Sequence, residues 1–227
     1  MAKNTKQSTG DENLEVIQNT LGRTEQFIEE NQKSVSIIIG AIIFIIVGYF
    51  AYQKFYVEPL ESEAQQEMFM AQNYFALDSF QLALDGDGFN EGFLDIADDY
   101  GMTNTGMLAN YYAGISYLHL GQYEDAIDYL KRFDAGDDMI TTMAIGAIGD
   151  AYVEQDDIEE AISYYKKASE RKTNDFITPL FLMKLGLVYE HLGQKEDALE
   201  TYEKIKKDYM KSNEARKVNK YIERVKL

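Results

Sequence analysis

Three stretches of this chain superimpose on one another at shifts of 35 and then 37 residues. They read ANYYAGISYLHLGQYEDAIDYLKRF from Ala109, TMAIGAIGDAYVEQDDIEEAISYYKKA from Thr142, and LFLMKLGLVYEHLGQKEDALETYEKI from Leu180. Gly114, Gly149 and Gly186 fall in register, as do Tyr117, Tyr152 and Tyr189, and Ala126, Ala161 and Ala198. A period of this length marks a stacked-repeat architecture. One repeat cannot bury its apolar face alone, so each leans on its neighbours.

The residues in register have the tetratricopeptide pattern, a helix–turn–helix of about 34 residues with a code of small side chains. The reason is packing. Gly at the eighth repeat position and Ala at the twentieth face each other where the two helices cross, and a larger side chain would push them apart. Tyr at position eleven and Leu130, Tyr165 or Tyr202 at position twenty-four fill the space beside them. Gly121 and Gly193 are placed to end their first helices as glycine C-caps. Asp156 stands at that point in the middle repeat, a weaker turn residue. The fold class is all-α, and two prolines in 227 residues suit long helices.

A degenerate copy precedes the three. Ala71, Tyr74, Asp78, Phe80 and Ala83 fall at corresponding positions, followed by a break at Asp85–Gly88 and a helix expected from about Phe89 to Tyr100. The array is thus about three and a half repeats. After Tyr209, Ser212 is placed to cap a last helix whose Val218, Ile222 and Val225 stripe covers the apolar end of the stack.

Between Lys33 and Lys54 lie 20 residues without charge, SVSIIIGAIIFIIVGYFAYQ. At 1.5 Å per residue they cover roughly 30 Å, the hydrocarbon thickness of a bilayer. Tyr49, Tyr52, Phe55 and Tyr56 form an aromatic belt at one end. The run begins too late, is too long and lacks a small-x-small exit, so it reads as an uncleaved anchor rather than a signal peptide. Arg23 and Lys33 before it against Lys54 after it favour a cytoplasmic N-terminus and, in a Gram-negative cell, a periplasmic C-terminal domain. Ser36, Gly40 and Gly48 offer a small-residue face for helix packing in the membrane; the alternative is that they are incidental.

The expected organisation is therefore a cytoplasmic segment at 1–34, an anchor at 35–56, a linker and degenerate first repeat at 57–106, three repeats at 107–211 and a capping helix at 212–227. Residues 1–12 are polar. Leu14, Ile17, Leu21, Phe27 and Ile28 mark an apolar helix face over Leu14–Lys33. Its acidic character favours protein contact over lipid contact.

The net charge is −17. It is concentrated: Glu58–Tyr165 carries 23 acidic and 2 basic residues, whereas Lys166–Leu227 carries 15 basic and 10 acidic. Nucleic acid and anionic headgroups are poor partners for such a surface. Solubility alone accounts for it; a steering role toward basic or unfolded partners is the other reading.

Chemistry is not encoded. Cysteine is absent, which removes disulfides, thiolate metal sites, a thiol nucleophile and a lipidated cysteine. His119 and His191 occupy the same repeat position, thirteen, and do not converge. DGDGFNEGFLD resembles a calcium loop, but Phe89 and Asn90 stand where a ligand and the turn glycine belong. No phosphate loop or nucleophile elbow occurs. We expect neither enzyme activity, nor a cofactor, nor a metal, nor a small-molecule substrate.

Function is expected on the first helices, whose groove-lining positions in this repeat type carry Leu108, Tyr111, Ile115, Leu118 and His119, then Met143, Gly146, Asp150, Val153 and Glu154, then Leu180, Met183, Leu187, Glu190 and His191. This set is apolar and Met-bearing, suited to a hydrophobic helix or an unfolded chain. The competing reading is that the capping helix or the irregular first repeat covers it.

The anchor, the acidic repeats and stretches such as LANYYAGISYLHLGQYEDAIDYL and KTNDFITPLFLMKLGLVYE resemble the YfgM-like ancillary subunits of the bacterial Sec translocon, in the form found in Bacteroidota. The resemblance covers about 190 residues. It implies a single-pass inner-membrane protein with a periplasmic domain, association with the SecYEG channel and a membrane-bound folding factor, and a chaperone-like or scaffolding role for emerging proteins. The alternative is a repeat scaffold of another envelope assembly, secretion or motility complex.

Overall fold

The computed structural model describes residues 30–133, 136–171 and 173–227, and every regular element among them is helical. The amphipathic stretch from Leu14 lies, as far as Glu29, outside the described residues. The chain divides into two compact bodies at Tyr56 and Val57.

The first body contains α1, Gln32–Tyr52. Its 21 residues bury no side chain and are long and apolar enough to cross a membrane. Ile37, Phe44, Ile45 and Phe50 are all more than half exposed. In water such a helix would leave its whole apolar circumference unsatisfied. A π-helical turn, Gln53–Val57, follows.

The second body begins with α2 (Glu58–Ala76), α3 (Phe80–Asp85) and α4 (Phe93–Asp99). Pro59 sits in the first turn of α2, directly after the π-helical turn. Glu61 of α2 accepts the Thr105 hydroxyl at 2.5 Å and the Thr105 backbone N–H at 3.3 Å, tying α2 to the repeat that follows. Burial raises the Glu61 carboxyl's pKa, but the Thr105 and Gln65 hydrogen bonds outweigh it and leave it below the usual range.

The helix expected from about Phe89 starts instead at Phe93. Asp87 is the cause. Its Oδ1 accepts the backbone N–H groups of Phe89 and Asn90, both at 2.8 Å, and its Oδ2 accepts the Tyr74 phenol at 2.7 Å. Side-chain capture of this kind competes with helical hydrogen bonding.

Three helical pairs follow: α5 (Asn104–His119) with α6 (Tyr123–Arg132), α7 (Asp138–Glu154) with α8 (Ile158–Glu170), and α9 (Thr178–His191) with α10 (Lys195–Asp208). The last helix is α11, Asn213–Lys226. Thr103, Asp137, Asp157 and Ser212 each accept a backbone N–H at a helix start, as N-caps do. From α5 onward each helix packs mainly on its neighbours in sequence, so the stack is built by local contacts, whereas α2 also packs on α5. Val218, Ile222 and Val225 of α11 are buried in the same core as Tyr202 and Ile205, closing the C-terminal end.

The turns within repeats are equivalent. Gly121, Asp156 and Gly193 have φ of 74°, 61° and 72°. One residue further on, Gln122, Asp157 and Gln194 each donate a backbone N–H to Tyr117, Tyr152 and Tyr189 at 2.9 Å. Asp78 (φ 55°) and the Ser79-to-Tyr74 bond at 2.9 Å make the same turn in the degenerate copy. This is the left-handed cap that reverses a helix and satisfies its last carbonyls.

Candidate functional site: the first-helix face and its seams

The small residues make room for particular partners. A Cβ added at Gly114 would lie 2.6 Å from Leu130 Cγ, and one at Gly149 would lie 2.7 Å from Tyr165 Cε1; one at Gly186 would collide with the Tyr202 ring. The glycine therefore admits the side chain at position twenty-four, rather than chiefly the alanine at position twenty. Ala126, Ala161 and Ala198 are fully buried beside these crossings. Tyr117 and Tyr152 pair with Tyr129 and Tyr164, each with ring centroids 5.4 Å apart. Arg132 and Lys167 lie over the partner rings at 4.6 and 4.5 Å. Tyr189 has Lys166 over its ring at 5.7 Å.

The nine apolar residues expected to line the groove are half-buried or, for Leu187, 39% exposed. What half-covers most of them is the next repeat. Leu108, Tyr111, Ile115 and Leu118 of α5 pack against a core that includes Ala144, Ala147 and Ile148 of α7. Met143 and Val153 of α7 pack against the core containing Phe181, Leu182 and Leu185 of α9, to which Leu180 and Met183 also contribute. Gly146, assigned by position to the groove, is buried: a Cβ there would overlap the Phe181 ring.

Open space remains at two equivalent places toward the ends of the first helices. A cleft of about 450 Å³ between the first and second repeats is lined by Leu118, His119, Tyr123, Asp150, Val153, Glu154 and Tyr165. A second, of about 520 Å³, lies between the second and third repeats, lined by Val153, Glu154, Asp156, Ile158, Leu187, Val188 and His191. Each joins an apolar wall to a histidine and the Glu154 carboxylate. His119 also stacks on Phe80 at 4.3 Å.

Two of the groove carboxylates are engaged in the seams. Tyr165 donates its phenol to Asp150 at 2.6 Å, and Lys184 of the next repeat donates to both Asp150 oxygens at 2.6 Å. One repeat on, Glu190 accepts the Tyr202 phenol at 3.0 Å and both Nε and Nη2 of Arg224 from α11, the latter at 2.7 Å. Burial and the Asp150 charge push the Tyr165 phenol far above the usual tyrosine range; burial and the bond to Glu190 do the same for Tyr202. Both remain donors. Arg224 holds the Glu190 carboxyl below its ordinary value against the opposing effect of burial. In the first repeat the same places hold Leu130, Ile115 and Leu118 and form an apolar seam.

In α1, Ser36, Gly40 and Gly48 are exposed, and a Cβ at either glycine would meet nothing within 4 Å.

Left-handed turns after each first helix, glycine-relieved crossings and shared cores between successive pairs define a tetratricopeptide-repeat solenoid, a class of protein-interaction scaffold. A tetratricopeptide-repeat family model matches residues 147–213, and another with the same description matches 108–134. Two crystal structures of a putative kinesin light chain of Podosopora anserina with nearly identical TPR-like repeats, one of them of a singly substituted form, are similar in fold. They are 14% identical to this chain with TM-scores of 0.53 and 0.52, covering 73% of it and 86% and 85% of those chains. The MamA protein structure is 21% identical with a TM-score of 0.48, covering 71% of this chain and 85% of that one. No curated protein matches.

Proposed function

We propose that this protein is a membrane-anchored, protein-binding accessory factor of the Sec translocon, with α1 as a single-pass inner-membrane anchor, the N-terminus in the cytoplasm and the solenoid in the periplasm. It works without catalysis or cofactor, as a scaffold or chaperone-like holder of emerging polypeptides beside SecYEG and a membrane-bound folding factor. The observation that carries the reading is the pairing of a fully exposed apolar helix of 21 residues with an acidic repeat domain. Such a helix has no stable place in water, and such a domain has no affinity for anionic headgroups. The resemblance to YfgM-like subunits supplies the translocon. The two clefts beside Val153 and Leu187 are the proposed contact points for client side chains.

The chain lacks cysteine, so a single introduced thiol reports topology. Glu159→Cys, on an exposed face of α8, should react with a membrane-impermeant maleimide in intact cells whose outer membrane has been permeabilised. Protection until the inner membrane is opened would invert the topology. Affinity isolation in mild detergent should then recover channel subunits, and their absence would remove the translocon assignment.

A further inference from the structure

The two ends of the solenoid carry opposite charge. From Glu58 to Leu130 stand 14 acidic residues and neither lysine nor arginine. Lys54, the cation nearest before this stretch, belongs to the first body. Lys131 and Arg132, the nearest after it, lie over the rings of Tyr152 and Tyr129. From Glu203 to Leu227 the balance reverses, with nine basic residues and four acidic ones.

The basic end is built around one turn. Lys206 and Lys207 close α10, Lys211 lies in the turn, and Arg216, Lys217 and Lys220 follow in α11. All six are exposed, while Val218, Ile222 and Val225 of α11 are buried and fix which face looks outward. Arg224 and Lys226 form ion pairs, with Glu190 and Glu203. Among the described residues the six do not, although Asp208 and Glu214 stand in the same stretch. Cations at a helix C-terminus complement its dipole, which accounts for Lys206 and Lys207. Arg216 and Lys217 lie toward the N-terminus of α11, where the dipole disfavours them.

The acidic end is crowded in the same one-sided way. α2 and α4 pack together. Glu63 and Glu67 on α2, like Asp95 and Asp99 on α4, stand four residues apart, a spacing at which like charges repel. Burial, and then the charges of these four, raise the carboxyl of Glu91 in the loop before α4. The chain's own basic end does not relieve them, because α10 and α11 pack chiefly on each other and on α9. An anionic bilayer would satisfy the cations and leave the carboxylates as they are; a second copy of the chain satisfies both. We propose that the α10–α11 turn of one copy docks on the α2–α4 carboxylates of the next, setting Lys207, Lys211, Arg216 and Lys217 against Glu63, Glu67, Asp95 and Asp99. The two surfaces differ, so the contact is head-to-tail and extends into chains instead of closing as a dimer. Such chains need neither the first-helix clefts nor a Sec partner.

Each copy carries a net charge of −17, which opposes association at long range. At about 0.1 M salt the Debye length is about 10 Å, so this repulsion is cut while close ion pairs persist; at about 1 M it is about 3 Å and the pairs weaken too. Sedimentation velocity of the full-length protein in nonionic detergent micelles reads particle mass against concentration. The native chain should grow past dimers at about 0.1 M salt and fall back to single copies at about 1 M. Lys207→Glu/Lys217→Glu and Glu63→Lys/Asp95→Lys should each raise the concentration for half-association at least about tenfold. Mixed in equal amounts the two variants should associate again, since each presents the charge the other lacks, and mixing does not repair a folding defect. A native chain that stays a single copy up to about 1 mM overturns the proposal. So does association that either reversal leaves unchanged, which would place the contact in α1 or the clefts, and so does a mixture that remains dissociated. It is equally overturned if the lysine variant loses only adsorption to phosphatidylglycerol vesicles, which would make the basic end a lipid contact.

Discussion

Tyr165 donates its phenol to Asp150 at 2.6 Å, across the crossing of α8 and α7, and the same carboxylate receives Lys184 from α9. One carboxylate thus fixes both the angle within a repeat and the seam to the next. Glu190, Tyr202 and Arg224 repeat the arrangement at the capping helix.

The two halves of this link differ in strength. The Tyr165 hydroxyl is a buried donor to a charge, and such bonds contribute about 1.5–3 kcal/mol. The Lys184–Asp150 pair has side chains 33% and 32% exposed and belongs nearer the surface range of about 0–1 kcal/mol. Denaturant unfolding of the detergent-solubilised protein should therefore show Tyr165→Phe to be more destabilising than Lys184→Met. The reverse order would mean that the seam, not the crossing, carries the energy.

Gly186→Ala separates packing from helix propensity. Alanine gains about 1 kcal/mol of propensity over glycine in a helix. At Gly186 its Cβ would strike the ring of Tyr202, which is fully buried and cannot yield cheaply. Overpacking of about 1–3 kcal/mol wins, and the variant should unfold at lower denaturant concentration. Gly40→Ala in α1, where a Cβ meets nothing, should be tolerated. Equal effects at the two sites would remove the packing argument.

Asp156 occupies a left-handed turn that its counterparts fill with Gly121 and Gly193. The left-handed conformation costs a side-chain-bearing residue about 1–2 kcal/mol, somewhat less for Asp. Asp156→Gly should therefore stabilise the solenoid by about 0.5–1 kcal/mol, less whatever glycine loses in unfolded-state entropy. Asp78→Gly should act in the same direction. Both gains appear as raised denaturation midpoints; a fall at both would mean that the aspartates serve a contact beyond the turn.

Two carboxyls should respond to pH with opposite signs. Glu190 lies below its ordinary value of 4.5 because Arg224 donates to it, so its stabilisation is present above that value and is lost as pH falls through the folded value. Glu91 is raised, first by burial and then by the charges of Glu67 and Asp99, and its Oε2 is buried with no hydrogen-bond partner among the described residues. Its contribution is favourable below 4.5 and is lost as pH rises through the folded value. Glu91→Gln should raise the Tm at neutral pH and lose that advantage below about pH 4. Glu190→Gln should lower the Tm at neutral pH, with the difference narrowing over the same acid range. A pH-independent difference in either variant would show that charge is not the cause.

The three helical pairs, their left-handed turns and the capping helix were legible because Gly, Tyr and Ala recur in register, and one repeat reads the next. The seams were not. Lys184 and Arg224 come from different repeat positions, one of them in a helix that is no repeat at all, so no periodic pattern ties them to Asp150 and Glu190. Gly146 was misread for a related reason: position alone assigns it to an open groove, whereas the offset of α9 against α7 brings Phe181 onto it. The late start of α4 depended on Asp87 capturing four groups at once, a local event outside any repeat.

The central claim is that a lipid-held solenoid presents its first-helix clefts to other proteins. Replacing Leu187, which is 39% exposed at the second cleft, with a photo-crosslinking phenylalanine analogue in the full chain and irradiating intact cells tests it directly. The account predicts adducts with other polypeptides, Sec channel subunits or nascent envelope proteins among them, from the membrane fraction. Adducts confined to the chain itself, or recovered only from the soluble fraction, would contradict it.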